Sequence, residues 1–130
     1  MNLKSIDNPL PLSFMGDGFK ALLKLAFLAP LVNNGIVIFE EPEVSMHPGY
    51  LEILADEIIS NSENSQFFIS THSLELINYL LEKADKMNKI NDINIIKLRR
   101  LNKGEIDRQI LSGRQSKQKI EEIQIDLRGY

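Results

Sequence analysis

The sequence predicts an α/β protein, with parallel strands in a βαβ unit and flanking helices, followed by a C-terminal β-hairpin and a short helix. Three observations carry this reading. Residues 36–39 (Ile-Val-Ile-Phe) form an apolar, partly β-branched run that stops at two carboxylates, Glu40 and Glu41. Residues 66–70 (Gln-Phe-Phe-Ile-Ser) form a second short run, closed by Thr71-His72-Ser73. Between them, Leu51, Leu54, Ala55, Ile58 and Ile59 recur at helical spacing. Strand, helix and strand with short links make a parallel pair joined by a right-handed crossover. The acidic pair and Thr71-His72 therefore fall at the same end of the two strands. Open α/β sheets bind ligands at that end.

At 130 residues the chain suits one domain, residues 1–130, with a core of its own. Its 43% apolar and 25% charged composition is that of a globular protein. With no cysteine, disulfides and thiolate metal sites are excluded. No uncharged apolar run approaches the ~18 residues of a membrane span, and no basic-then-apolar leader opens the chain. A cytoplasmic protein without membrane insertion is expected. The net charge of −3 hides an asymmetry. Residues 1–72 hold three lysines against nine acidic residues, and residues 73–130 hold twelve basic against nine acidic. The basic half allows contact with DNA through Lys97, Arg99, Arg100, Lys103 and Arg108. Because both signs are interspersed there, a solvated Lys/Glu surface is the favoured reading.

The elements follow in order. Residues 1–12 lack a period and contain Pro9 and Pro11, so an extended lead-in is expected. Residues 13–18 form a glycine-bearing turn. Residues 17–31 are helical and almost wholly apolar (Phe19, Leu22, Leu23, Leu25, Ala26, Phe27, Leu28), which predicts a helix buried on most sides. Pro30 and Asn33-Asn34-Gly35 end it. The strand after Gly35 is continuously apolar and so expected to be buried on both faces. Pro48 suits the first turn of the next helix, and residues 60–65 are a polar loop. A helix from Ser73 buries Leu74, Ile77, Leu80, Leu81 and Ala84. Residues 91–130 supply the hairpin, as strands 93–101 and 106–111 around a turn at 102–105, and a terminal helix near 116–126.

Several residues could carry chemistry. Adjacent carboxylates repel unless a cation offsets them. Glu40 could therefore hold Mg²⁺, and Glu41 could deprotonate an attacking water; a solvated acidic turn is the plain alternative. The two histidines of the chain, His47 and His72, both fall at the mouth of the sheet. A transition-metal site with the two glutamates would lack the close helical spacing such sites use. Gly16 and Gly18 precede a helix whose N-terminal amides attract anions; an ordinary helix entry with Asp17 near the N-cap reads the same way. His72 could bond a terminal phosphate, or simply end a strand.

Taken in order, these pieces resemble the C-terminal lobe of an ABC-type ATPase head of the SMC/RecF/Rad50-like group, and most of all the AAA15 and OLD-type ATPases. Residues 12–18 (Leu-Ser-Phe-Met-Gly-Asp-Gly) look like the signature motif. Residues 36–43 (Ile-Val-Ile-Phe-Glu-Glu-Pro-Glu) look like Walker B with the following catalytic glutamate. Residues 44–48 (Val-Ser-Met-His-Pro) match the D-loop, and residues 69–73 (Ile-Ser-Thr-His-Ser) the switch, or H-loop. Glu40 stands where many members have Asp, and His47 replaces the usual D-loop Asp, as in the OLD-like branch.

The resemblance implies a P-loop NTPase-like lobe that hydrolyses Mg²⁺-ATP within a head dimer. Glu40 would take the Mg²⁺ position, through water, Glu41 would be the general base, and His72 would contact the γ-phosphate. Ser13, Gly16, Asp17 and Gly18 would reach the nucleotide of the opposing subunit of a homodimer, with Ser45 and His47 at the seam. None of the seven glycines is followed by lysine, so no G-x-x-x-x-G-K-[ST] phosphate loop is present. The expectation is an ATPase only in company with a P-loop-bearing N-terminal lobe, on a separate chain or a segment missing here. The alternative is a non-catalytic remnant that dimerises or binds a partner, nucleic acid being one candidate.

Overall fold

The computed structural model describes residues 16–28, 31–44 and 46–123. Ser13 and Ser45 lie outside the described residues, as do the lead-in and the last seven residues.

The first helix, α1 (Asp17–Leu28), starts where the Gly16 carbonyl accepts the Lys20 amide at 3.1 Å. Strand β1 (Gly35–Glu40) and strand β2 (Ser65–Ser70) are parallel neighbours, with Gly35 opposite Ser65 and Glu40 opposite Ser70. Their lower ends are pinned together. The Asn34 amide donates to the Asn64 carbonyl at 2.7 Å, and Ser65 Oγ donates to the Val32 carbonyl at 2.5 Å. Between the strands runs α2 (Pro48–Asn61), with proline in its first turn as the sequence requires. All five apolar positions expected of it, Leu51, Leu54, Ala55, Ile58 and Ile59, are buried.

Helix α3 (Leu74–Lys86) follows β2. Ser73 caps it, accepting the Leu76 amide on Oγ at 3.1 Å. Asn88 ends it in the left-handed region, φ 57°, while the Lys89 amide returns to the Ala84 carbonyl at 2.7 Å. The helix is apolar over a wide stripe because it serves two clusters. Leu76 and Ala84 join Leu25, Leu54, Ala55, Ile58, Ile59 and Ile90, against which Phe39, Phe67 and Ile69 of the sheet pack. Ile77 and Leu81 join Leu111, with Ile95 and Ile120 alongside. That second cluster seats the antiparallel hairpin of β3 (Asn94–Arg100) and β4 (Ile106–Ser112), and α4 (Gly113–Ile123). A side chain at Gly113 would run into the Ile90 carbonyl and Ile93, so the sharp entry into α4 demands glycine. Lys83 to Asp56 and Lys117 to Asp85, each at 2.6 Å, bridge α3 to α2 and to α4.

Three expectations change. The strand β1 alternates rather than being buried on both faces: Ile36 is 62% and Ile38 75% exposed, with Phe68 of β2 at 50%. The helices α2 and α3 cover one face of the pair, and no described element covers the other. For the same reason α1 is not buried on most sides. Leu25 is enclosed while Phe27 is exposed, because α2 is its main packing partner among the described residues. The terminal helix also starts earlier than its apolar spacing suggests, at Gly113, where Ser112 Oγ accepts the Gln115 amide at 3.2 Å.

Candidate functional site at the carboxyl end of the parallel strands

Because β1 and β2 are parallel and in register, both strands empty onto one edge. The Glu41 amide donates to the Ser70 carbonyl at 2.9 Å, which carries the pairing one residue past the strand. There the backbone turns: Glu41 adopts φ 41°, a left-handed conformation unusual for a residue with a Cβ. This swings its carboxylate toward β2, where Oε1 lies 3.2 Å from Nε2 of His72. The two side chains remain open to solvent, 44% exposed for Glu41 and 70% for His72. An exposed pair of this kind contributes little stability. It places an acceptor and a titratable donor side by side at a surface a ligand can reach.

Glu40 belongs to the other face. Alternation along β1 sets it with Ile36 and Ile38, on the uncovered side, and it is exposed. Mg²⁺ bound with a nucleotide usually takes one or two carboxylates, the phosphates and several waters. One exposed carboxylate at a strand tip fits that demand. Among the described residues no group of three His, Asp or Glu side chains converges as a protein-only metal site would require.

The turn after Glu41 is tightened by Val44 N–H to Glu41 O and Met46 N–H to Glu43 O, both 3.0 Å. His47 follows as the N-cap of α2: its Nδ1 accepts the Gly49 amide at 3.2 Å. Sequence reasoning placed His47 at the mouth of the sheet and missed this capping role, for which Pro48 was the available signal. His47 does not join the Glu41–His72 pair. It stacks edge-on to Tyr50, ring centroids 6.4 Å apart, and Tyr50 meets Phe19 of α1 at 6.5 Å. This contact sets the first turn of α1 beside the first turn of α2. Asp17 is exposed, 3.3 Å from Lys20 Nζ.

One residue at this edge escaped notice as an individual. Glu43 Oε1 accepts hydrogen bonds from Thr71 Oγ1 at 2.7 Å and from the His72 amide at 2.8 Å. In the sequence it reads as the third acid of a polar turn, and its partners are 28 and 29 positions away.

The geometry has parallels. The family model described as "AAA domain, putative AbiEii toxin, Type IV TA system" matches residues 2–78. A protein of Methanocaldococcus jannaschii, uncharacterized protein MJECL11, is 42% identical over 74 residues, which cover 55% of this chain and 65% of that protein. A solved structure described as "Structural biochemistry of ATP-driven dimerization and DNA stimulated activation of SMC ATPases" superposes with a TM-score of 0.57 at 23% identity. It is matched over 87% of this chain and 64% of its own. The matched regions cover 65% of the first protein and 64% of the second, just under two thirds of each. The shared fold is that of a P-loop NTPase-like lobe.

Proposed function

The chain belongs to the AAA-domain family whose model matches residues 2–78, and from that premise we propose that it forms the hydrolytic half of an ABC-type ATPase head of the AAA15/OLD kind. The observation that carries this reading is the Glu41–His72 pair, 3.2 Å apart at the common carboxyl end of two parallel strands.

In this reading Glu41 is the general base. Its carboxylate is exposed to water and lies 3.2 Å from His72 Nε2, so it can take the proton of a water attacking the terminal phosphate. His72 lies on the same open edge, where its ring can turn a donor toward a phosphate oxygen. Glu40 would hold Mg²⁺, through water, and the ion supplies charge neutralisation at the phosphates when it binds with ATP. Gly16, Asp17 and Gly18, with Ser13, would serve the nucleotide of a second copy, and Ser45 and His47 would lie at that seam. Parallel sheets are normally covered on both faces. The bare face of Ile36, Ile38 and Phe68, which Glu40 shares, supports a P-loop-bearing lobe docking there and bringing the phosphates to Glu40.

A DNA-binding reading through the hairpin has less support. Strand alternation and pairing set Lys97 and Arg99 on one face and Arg100 and Arg108 on the other, and Arg99 pairs with Asp107 at 3.2 Å.

The test is reconstitution. The chain is recovered from its native host with whatever P-loop polypeptide accompanies it, and ATP turnover is measured for the chain alone and for the assembly. Turnover confined to the assembly is expected. Equal turnover by the chain alone would contradict the division of the site.

A further inference from the structure

Whatever holds His72 in place is not its side chain. The imidazole is 70% exposed and touches Glu41 at the rim, a contact too weak to position a ring on a strand terminus. The backbone of the switch is fixed elsewhere. Thr71 Oγ1 donates to Glu43 Oε1 at 2.7 Å, and the His72 amide donates to the same oxygen at 2.8 Å. Both are charge-assisted hydrogen bonds, about twice as strong as neutral ones.

We propose that Glu43 is a positioning residue, a latch that fastens Thr71 and His72 to the turn after β1 and so holds His72 against Glu41. The functional meaning of the latch rests on the ATPase reading above; the latch itself does not.

Three further observations support it. First, the network continues on the switch side: Thr71 Oγ1 accepts the Ser73 amide at 3.0 Å, and Ser73 Oγ caps α3 through the Leu76 amide. Second, Glu43 is braced on its own side, since its carbonyl accepts the Met46 amide one residue before the His47 cap. Third, Glu43 Oε2 is buried and has no hydrogen-bond partner among the described residues. Compensation for withdrawing the group from water therefore falls on the two bonds at Oε1. A side chain placed this way joins the turn leading into α2 to the switch leading into α3. A shift of the turn is passed to His72 through one carboxylate oxygen.

The latch is tested by residue-resolved amide hydrogen exchange, followed by NMR, on the full chain without nucleotide. Glu43→Ala should speed exchange at the His72 amide by at least about tenfold, the loss expected for a hydrogen bond to a charged group. The Leu81 and Ala84 amides, deeper in α3 and outside this network, should be unchanged. Glu43→Gln keeps an acceptor oxygen at the same reach and should hold exchange within about threefold of wild type. Glu43→Asp is too short to reach and should behave like Glu43→Ala, which keeps the test available if the alanine variant does not fold. An unchanged His72 amide in the alanine and aspartate variants would overturn the latch, as would equal acceleration at Leu81 and Ala84. In the ATP-hydrolysing assembly, Glu43→Asp should lower kcat about tenfold with KM unchanged, and Glu43→Gln should restore it. A rise in KM alone would overturn the positioning role. Because exchange is read without ATP, failure of the ATPase reading and failure of the latch are separable.

Discussion

His72 Nε2 stands 3.2 Å from Glu41 Oε1, and Glu41 makes that approach from a left-handed backbone at φ 41°. A non-glycine residue in that region costs about 1 kcal/mol or more. Strain of this kind clusters at functional sites, where geometry is kept at the expense of stability.

Glu41→Gly should therefore stabilise the fold, by up to about 1 kcal/mol in urea denaturation. The same change removes the proposed base, so turnover by the assembly should be lost. A variant that is destabilised by more than about 1 kcal/mol would show that the Glu41 side chain supports the fold, against the small contribution expected of an exposed pair.

The bare face of the parallel pair makes a second prediction. Ile38 and Phe68 are register partners and both are exposed. A contiguous apolar surface of that kind drives association. The isolated chain should self-associate with rising concentration in sedimentation experiments. Ile38→Lys with Phe68→Glu should leave it monomeric, with stability within about 0.5 kcal/mol of wild type. The same double variant should fail to bind the P-loop lobe. Retained binding would place that lobe elsewhere.

The anchoring of α4 to α3 depends on pH. The hydrogen bond from Lys117 holds the Asp85 carboxyl below the usual aspartate value, and the same bond raises the Lys117 ammonium above the usual lysine value. A depressed acid stabilises the fold above its unfolded value and loses that contribution as pH falls through its folded one. A raised base contributes below its unfolded value and loses the contribution as pH rises through its folded one. The bridge is thus fully formed at neutral pH and weakens toward both extremes. Lys117→Ala should return Asp85 toward the ordinary aspartate value in an NMR titration and flatten the acid limb of the stability profile. An unmoved Asp85 titration would show that the bridge is not made in solution.

The strands, α2 and the shared edge of Glu40-Glu41 with Thr71-His72 were legible in the sequence, because each follows from local periodicity plus the handedness of a short βαβ link. The uncovered face of β1 was not. A run such as Ile36-Val37-Ile38-Phe39 states that both faces are apolar; it does not state which chain covers them. His47 was legible as a residue at the mouth of the sheet and not as the cap of α2, since histidine is not among the usual capping residues and its Nδ1 acts here as the acceptor. Glu43 was hidden for a different reason. Its partners are Thr71 and the His72 amide, on the far side of the whole α2–β2 unit, and a third acid in a polar turn carries no local signal of bonds to a distant strand end.

In the ATPase reading, hydrolysis depends on Glu41 as the base that activates water. The most direct measurement is single-turnover hydrolysis of Mg²⁺-ATP by the assembly of this chain with its P-loop lobe, comparing wild type with Glu41→Gln. A fall of about 10²-fold or more in the single-turnover rate constant is expected, with nucleotide affinity retained because the amide keeps the shape of the carboxylate and lacks its basicity. A Glu41→Gln assembly that hydrolyses ATP at the wild-type rate would contradict it.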